Sequence, residues 1–302
     1  MAKADDPAGV TLVSGPLEVA FLPDVGMLGV ALRHRGDDLL ALPGGLAGYR
    51  AGHVTGLPLL APWANRLGER RYAVGDVEVD TTGLDLPTDG RGLAIHGTMT
   101  AQPGWEVVAR DERSLEARFD YGARPDLLAA FPFPHELRIA ASLDPEGLTM
   151  TTTVASTGDG AVPVAFGYHP YLRLPGVARS DVRLRLPARG HLALDDRQLP
   201  TGAVHAEEAE DSPIGDRTFD DLYELGEDRE LALTGGGRRV GVELGDGYRY
   251  AQVFAPPGAE TVCLEPMTAP GNALVDGGYA LAPPGAPFTA TFRVGVADAP
   301  RS

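Results

Sequence analysis

Apolar and polar residues alternate along most of the chain, and runs with helical spacing are scarce. Residues 17–21, 28–32, 105–108 and 115–119 read as half-buried strands, alternate side chains facing a core. Residues 136–139, 148–154, 182–186 and 288–294 read the same way. Between them stand turn signals such as Asp144-Pro145-Glu146-Gly147, Thr157-Gly158-Asp159-Gly160, Gly235-Gly236-Gly237 and Gly245-Asp246-Gly247. Many short strands punctuated by Gly and Pro predict an all-β chain, an antiparallel sandwich or barrel. The one short helix expected lies at 125–130. No internal repeat or low-complexity linker divides the sequence, so residues 1–302 are expected to form one domain. The acidic run 207–211 reads as a solvated loop. Long loops at 43–56, 83–95 and 196–217 are where function is expected to gather.

Against this pattern one stretch stands out. Thr261-Val262-Cys263-Leu264 reads as a buried strand that delivers Glu265 into a loop broken by Pro266 and Pro270, residues that stop ladder pairing. A carboxylate in such a place is costly unless it is paired, hydrogen-bonded or used; the alternative is an ordinary turn exit with a solvated Glu. Four further segments carry polar groups in stiff or strand-like settings. Ala61-Pro62-Trp63-Ala64-Asn65-Arg66 presents an amide beside a guanidinium, a fork of donors suited to vicinal hydroxyls, or else a structural ion pair. Leu93-Ala94-Ile95-His96-Gly97 and Phe166-Gly167-Tyr168-His169-Pro170-Tyr171 are apolar approaches that stop at a histidine; a hydrogen-bonded core histidine is the competing reading. Phe219-Asp220-Asp221-Leu222-Tyr223 places two acids between aromatics.

Composition narrows the partners. The 302 residues carry a formal net charge of -16, which argues against nucleic acid or an anionic membrane surface and leaves a small molecule as the expected partner. Cys263 is the only cysteine, excluding intrachain disulfides and cysteine-based zinc clusters. Lys3 is the only lysine, and Schiff-base chemistry needs an internal one. The first six residues lack the apolar run of a signal peptide and no later run has the length of a membrane span, so a cytoplasmic protein is expected. No glycine-rich phosphate loop is present, and no cofactor or metal is expected.

Taken together, histidines and carboxylates at strand ends, aromatic surfaces and an Asn-Arg fork describe a carbohydrate pocket: rings cover C–H faces while charged groups bind hydroxyls. In these same segments the sequence resembles the aldose 1-epimerases, or galactose mutarotase-like proteins. Asn65-Arg66, His96-Gly97, Gly167-Tyr168-His169-Pro170-Tyr171, Phe219-Asp220-Asp221 and Leu264-Glu265-Pro266-Met267-Thr268-Ala269-Pro270 occur in the family's order, across most of the chain. The resemblance implies a many-stranded antiparallel β supersandwich, a cofactor-free site and interconversion of sugar anomers. It implies Glu265 as general base and His169 as general acid. His96, Arg66, Asp220, Asn65 and Tyr171 are then the sugar-binding residues, with Asp220 rather than Asp221 aligned by the preceding aromatic. His169 needs a negative neighbour to stay protonated, and Asp220 is the candidate. Glu-Pro-Met-Thr-Ala-Pro departs from the galactose-type members, where a Gln and an aspartate-proline turn follow the glutamate, so galactose itself is not indicated. Other readings of the same residues are a sugar-binding module without turnover, a hexose 6-phosphate mutarotase, a glycoside hydrolase with Asp220 and Glu265 as its carboxylates, and a metal site of His96, His169 and Glu265. For the phosphate reading, Arg66, Arg70, Arg71, Arg91 and Arg173 would have to converge.

Overall fold

The computed structural model describes residues 9–299; Lys3 and the first six residues, read above as lacking a signal peptide, lie outside that range. Two large antiparallel sheets dominate. The first has nine strands in the spatial order Glu106–Arg110, Ser114–Asp120, His135–Asp144, Gly147–Ser156, Phe288–Asp298, Arg238–Leu244, Glu230–Gly235, Arg183–Leu186 and Glu210–Pro213. The second runs Pro200–Glu207, Arg189–Leu194, Phe219–Leu225, Tyr250–Ala255, Val262–Met267, Gly167–Tyr168 and Leu59–Leu60, with Tyr171–Leu172 also paired to Val262–Met267. A four-stranded sheet, from Val10–Ser14 to Asp37–Asp38, completes the larger elements.

Period-two burial explains the layering. In His135–Asp144 every other residue is buried, and Leu137, Ile139, Ala141 and Leu143 join Met150, Val294 and Phe292 in one apolar cluster with Leu264, Val253 and Ala251 of the second sheet. The sheets also touch through polar and aromatic contacts: the Thr152 and Tyr168 hydroxyls are 2.7 Å apart, and the Tyr168 and Phe292 ring centroids 5.0 Å. Each strand expected from alternation is present, most of them longer than expected.

Three expectations need correction. The strand Val262–Met267 does not end at Leu264 but continues through Glu265 and Pro266, with Glu265 opposite Gln252. Pro266 is tolerated for a local reason. The Thr268 N–H donates to the Phe166 carbonyl, so residue 266, two positions back, faces the same neighbour, which breaks between Tyr168 and Tyr171. Second, 196–217 is not a functional loop but supplies the edge strands of both large sheets. Its acidic residues are held rather than merely solvated: Glu207 and Glu210 both pair with the buried Arg189. Third, besides the expected helix, seen at Pro125–Leu128, short helices form at Gly45–Arg50 and Ala273–Asp276. Among the described residues no helix is long and apolar enough to cross a membrane.

His135 gives this core an acid sensitivity. Its ring stacks on Tyr121 at 4.3 Å and its Nδ1–H donates to the Phe133 carbonyl at 2.6 Å. Burial pushes its pKa from 6.5 down to about 4, against the weaker raising effect of that hydrogen bond. A depressed folded-state value stabilises the protein above the unfolded value, and this stabilisation disappears as pH falls from 6.5 through 4. The His135 share of that loss is about 3 kcal/mol. Denaturant unfolding at pH 7 and pH 4.5 should therefore show a smaller difference for His135→Phe than for wild type; equal differences would refute the assignment.

Candidate active site

One face of the second sheet carries the polar groups. Cross-strand partners share a face, so Asp220 opposite Phe254, and Gln252 opposite Glu265, line up on the side away from Val253 and Leu264. His169 enters the same face from the break between Gly167–Tyr168 and Tyr171–Leu172. The break turns Tyr168 toward the core, while the His169 ring stacks on Tyr171 with centroids 4.6 Å apart.

A short ribbon brings the remaining groups. Arg66–Leu67 pairs with Ala94–Ile95, and the His96 N–H donates to the Asn65 carbonyl at 3.0 Å. Asn65 and His96 both take left-handed backbone, at φ 59° and 64°. Gly97 follows at φ 71° where a Cβ would lie 2.1 Å from the Ala61 carbonyl oxygen, so only glycine lets the ribbon descend here. From the other side, Asn272 accepts the Gly68 N–H at 2.6 Å and gives its own N–H to the Arg66 carbonyl.

Sheet and ribbon bound a cavity of about 160 Å³. Asn65, Arg66, His96, His169, Tyr171, Asp220 and Glu265 all line it. Asp221 does not: it faces the other way, 3.3 Å from His191. Sequence reasoning missed Val54, Ile95, Gln252 and Phe254, which also line the cavity. Gln252 donates to Asp220 at 2.7 Å and accepts from Asn65 at 3.2 Å. Its only signal was a polar residue within an otherwise apolar strand. Arg66 is held on three sides: Nε to Asp89 at 2.8 Å, Nη1 to Asn65 at 3.2 Å and Nη2 to Asp220 at 3.2 Å. The other arginines considered for a phosphate do not converge. Arg70 reaches Leu84, Arg71 pairs with Asp80, Arg91 bonds the Asp196 carbonyl and Arg173 the Asp38 carbonyl.

Glu265 Oε1 lies 3.2 Å from His169 Nε2, and both side chains are almost fully buried. The ionisable partner of His169 is thus Glu265 rather than Asp220, whose oxygens accept from Arg66 and Gln252. Burial raises the Glu265 carboxyl well above its ordinary range; Asp220 adds to this and Arg66 opposes it. Burial pushes His169 down to about 3. His96 falls well below 6.5, through burial first and then the proximity of His169 and Arg66. Between the two shifted values the Glu265–His169 pair holds one proton, resting on Glu265. Such a pair can pass a proton in either direction without creating net charge in the cavity. A metal centre of His96, His169 and Glu265 is not formed: among the described residues no group of three His, Cys, Asp or Glu could hold an ion.

The family model for aldose 1-epimerase matches residues 28–291. An uncharacterized Escherichia coli protein, YihR, is 24% identical over 232 residues, 72% of this chain and 71% of that one. Among solved structures, a galactose mutarotase-like protein from Clostridium acetobutylicum superposes with a TM-score of 0.84 at 20% identity, covering 96% of this chain and 95% of its own. The galactose 1-epimerase of Lactobacillus acidophilus superposes at 0.77 with 16% identity, covering 99% and 97%. These likenesses show the galactose mutarotase-like fold.

Proposed function

The chain belongs to the aldose 1-epimerase family, and on that premise we propose that it interconverts the α and β anomers of an uncharged free aldose by opening and reclosing the ring. The observation that carries the reading is the 3.2 Å contact between Glu265 and His169 inside the cavity. Opening a cyclic aldose requires the O1 hydroxyl to lose a proton while the ring oxygen gains one. Both oxygens are bonded to C1, so base and acid must sit side by side.

With its proton on His169, the pair accepts the O1 proton at Glu265 and delivers the imidazole proton to the ring oxygen as the C1–O bond breaks. This leaves a carbonyl, a neutral His169 and a protonated Glu265. Burial favours that same charge distribution, so the pair matches the open-chain state. Rotation about C1–C2 then presents the opposite carbonyl face, and the transfers run in reverse. Arg66, Asp220, Asn65 and His96 hold the hydroxyls, and Tyr171 and Phe254 offer faces to the sugar's C–H surface.

A glycoside hydrolase fits less well, since both Asp220 oxygens already accept hydrogen bonds. A 6-phosphate substrate lacks its arginine cluster. A binding module without turnover shares the cavity, and only rate measurements separate it from a catalyst. Polarimetry on freshly dissolved pure-anomer sugars, with exhaustively chelated protein, should show mutarotation accelerated over buffer. Acceleration abolished by chelation and restored by a divalent ion, or no acceleration with any aldose, would overturn the reading.

A further inference from the structure

Asp89 does not line the cavity, yet it is buried to 7% side-chain exposure and holds Arg66 through the Nε edge at 2.8 Å. Its other oxygen accepts the Arg91 and Leu93 N–H groups at 2.9 and 3.0 Å, folding the loop that leads into His96. Among the described residues Arg66 is the only arginine or lysine lining the cavity, and two carboxylates, Asp89 and Asp220, grip it.

We propose that Asp89 is a specificity-determining residue that sets the charge of the sugar site so that neutral aldoses enter and anionic sugars, such as hexuronates, are turned away. Asp220 alone balances Arg66. Asp89 is the additional negative charge, placed behind Arg66 on its Nε edge. Carried to the cavity through Arg66, in a medium less polar than water, one unit charge is enough to decide between a neutral and an anionic sugar. The inference rests on the sugar-site reading above.

The test measures Kd and mutarotation of glucose and glucuronate at low and high salt, in wild type, Asp89→Asn and Asp89→Glu. Wild type should prefer glucose. In Asp89→Asn the preference should move toward glucuronate by about tenfold or more, through KM rather than kcat, and shrink in salt. Asp89→Glu, which restores the charge, should keep the wild-type ratio. Equal weakening for both sugars in Asp89→Asn, or the same shift in Asp89→Glu, would show a purely structural role and overturn the proposal. Should Asp89→Asn fail to fold, Asp89→Ser carries the same comparison, keeping an oxygen for the loop N–H groups. An active wild type with an unmoved ratio defeats this inference alone; a wild type that neither binds nor turns over any aldose defeats the reading beneath it.

Discussion

Glu265→Gln is expected to lose at least about 10²-fold in kcat while remaining folded and still binding sugar. Gln is nearly the same size as Glu and keeps the pairing of its strand with Gln252, so the architecture should not change. What it removes is the ability to take the O1 proton. Because burial already favours an uncharged carboxyl at this position, a neutral amide costs the folded state little, and equal or higher stability should accompany the loss of rate. Progress curves from a pure anomer, combined with thermal unfolding, measure both quantities. Turnover near that of wild type would remove Glu265 from the chemistry.

His169→Asn is expected to lose a similar factor, and the double variant to fall no more than about tenfold below the weaker single one, because two halves of one proton relay do not contribute independently. The pH profile is the more demanding test. Activity requires one proton on the pair, so kcat/KM falls where that proton is lost, above the raised value of Glu265, or where a second is gained, below the His169 value of about 3. A solvent-exposed Glu and His would instead restrict activity to a window of roughly 4.3 to 6.5. We expect the acid limb of kcat/KM to lie toward about 3 and the alkaline limb to lie well above the ordinary carboxylate range. An acid limb near 4.3 would show an unburied pair and contradict the geometry.

Much of this was legible because strands announce themselves by alternation. The long strands His135–Asp144, Gly147–Ser156 and Phe288–Asp298 each carry an apolar stripe of period two, and each was found from it. Family resemblance then pointed to seven cavity residues spread between positions 65 and 265. Glu265 itself was misplaced into a loop, because proline is a poor strand residue in general and nothing local reveals that the neighbouring strand is interrupted at that point. Asp89 and Gln252 escaped notice for a different reason. Their significance lies in the partners they reach, 23 residues away for Asp89 and Arg66 and 32 for Gln252 and Asp220, and no local pattern encodes those contacts. The edge strands Pro200–Glu207 and Glu210–Pro213, one in each large sheet, read as loop because their residues are mostly exposed and carry no apolar stripe.

The middle of the nine-stranded sheet joins Gly147–Ser156 to Phe288–Asp298, segments far apart in sequence. During synthesis on the ribosome, the meander from Glu106–Arg110 to Gly147–Ser156 can form early, but it ends in an open edge. That edge waits while more than a hundred further residues are translated, including those that supply Asp220 and Glu265. Long-range pairing of this kind is slow, and an unpaired strand edge invites the wrong partner. The nascent chain is therefore most open to mispairing in the interval before its last described strand arrives, and the cavity is among the last parts of the protein to be completed.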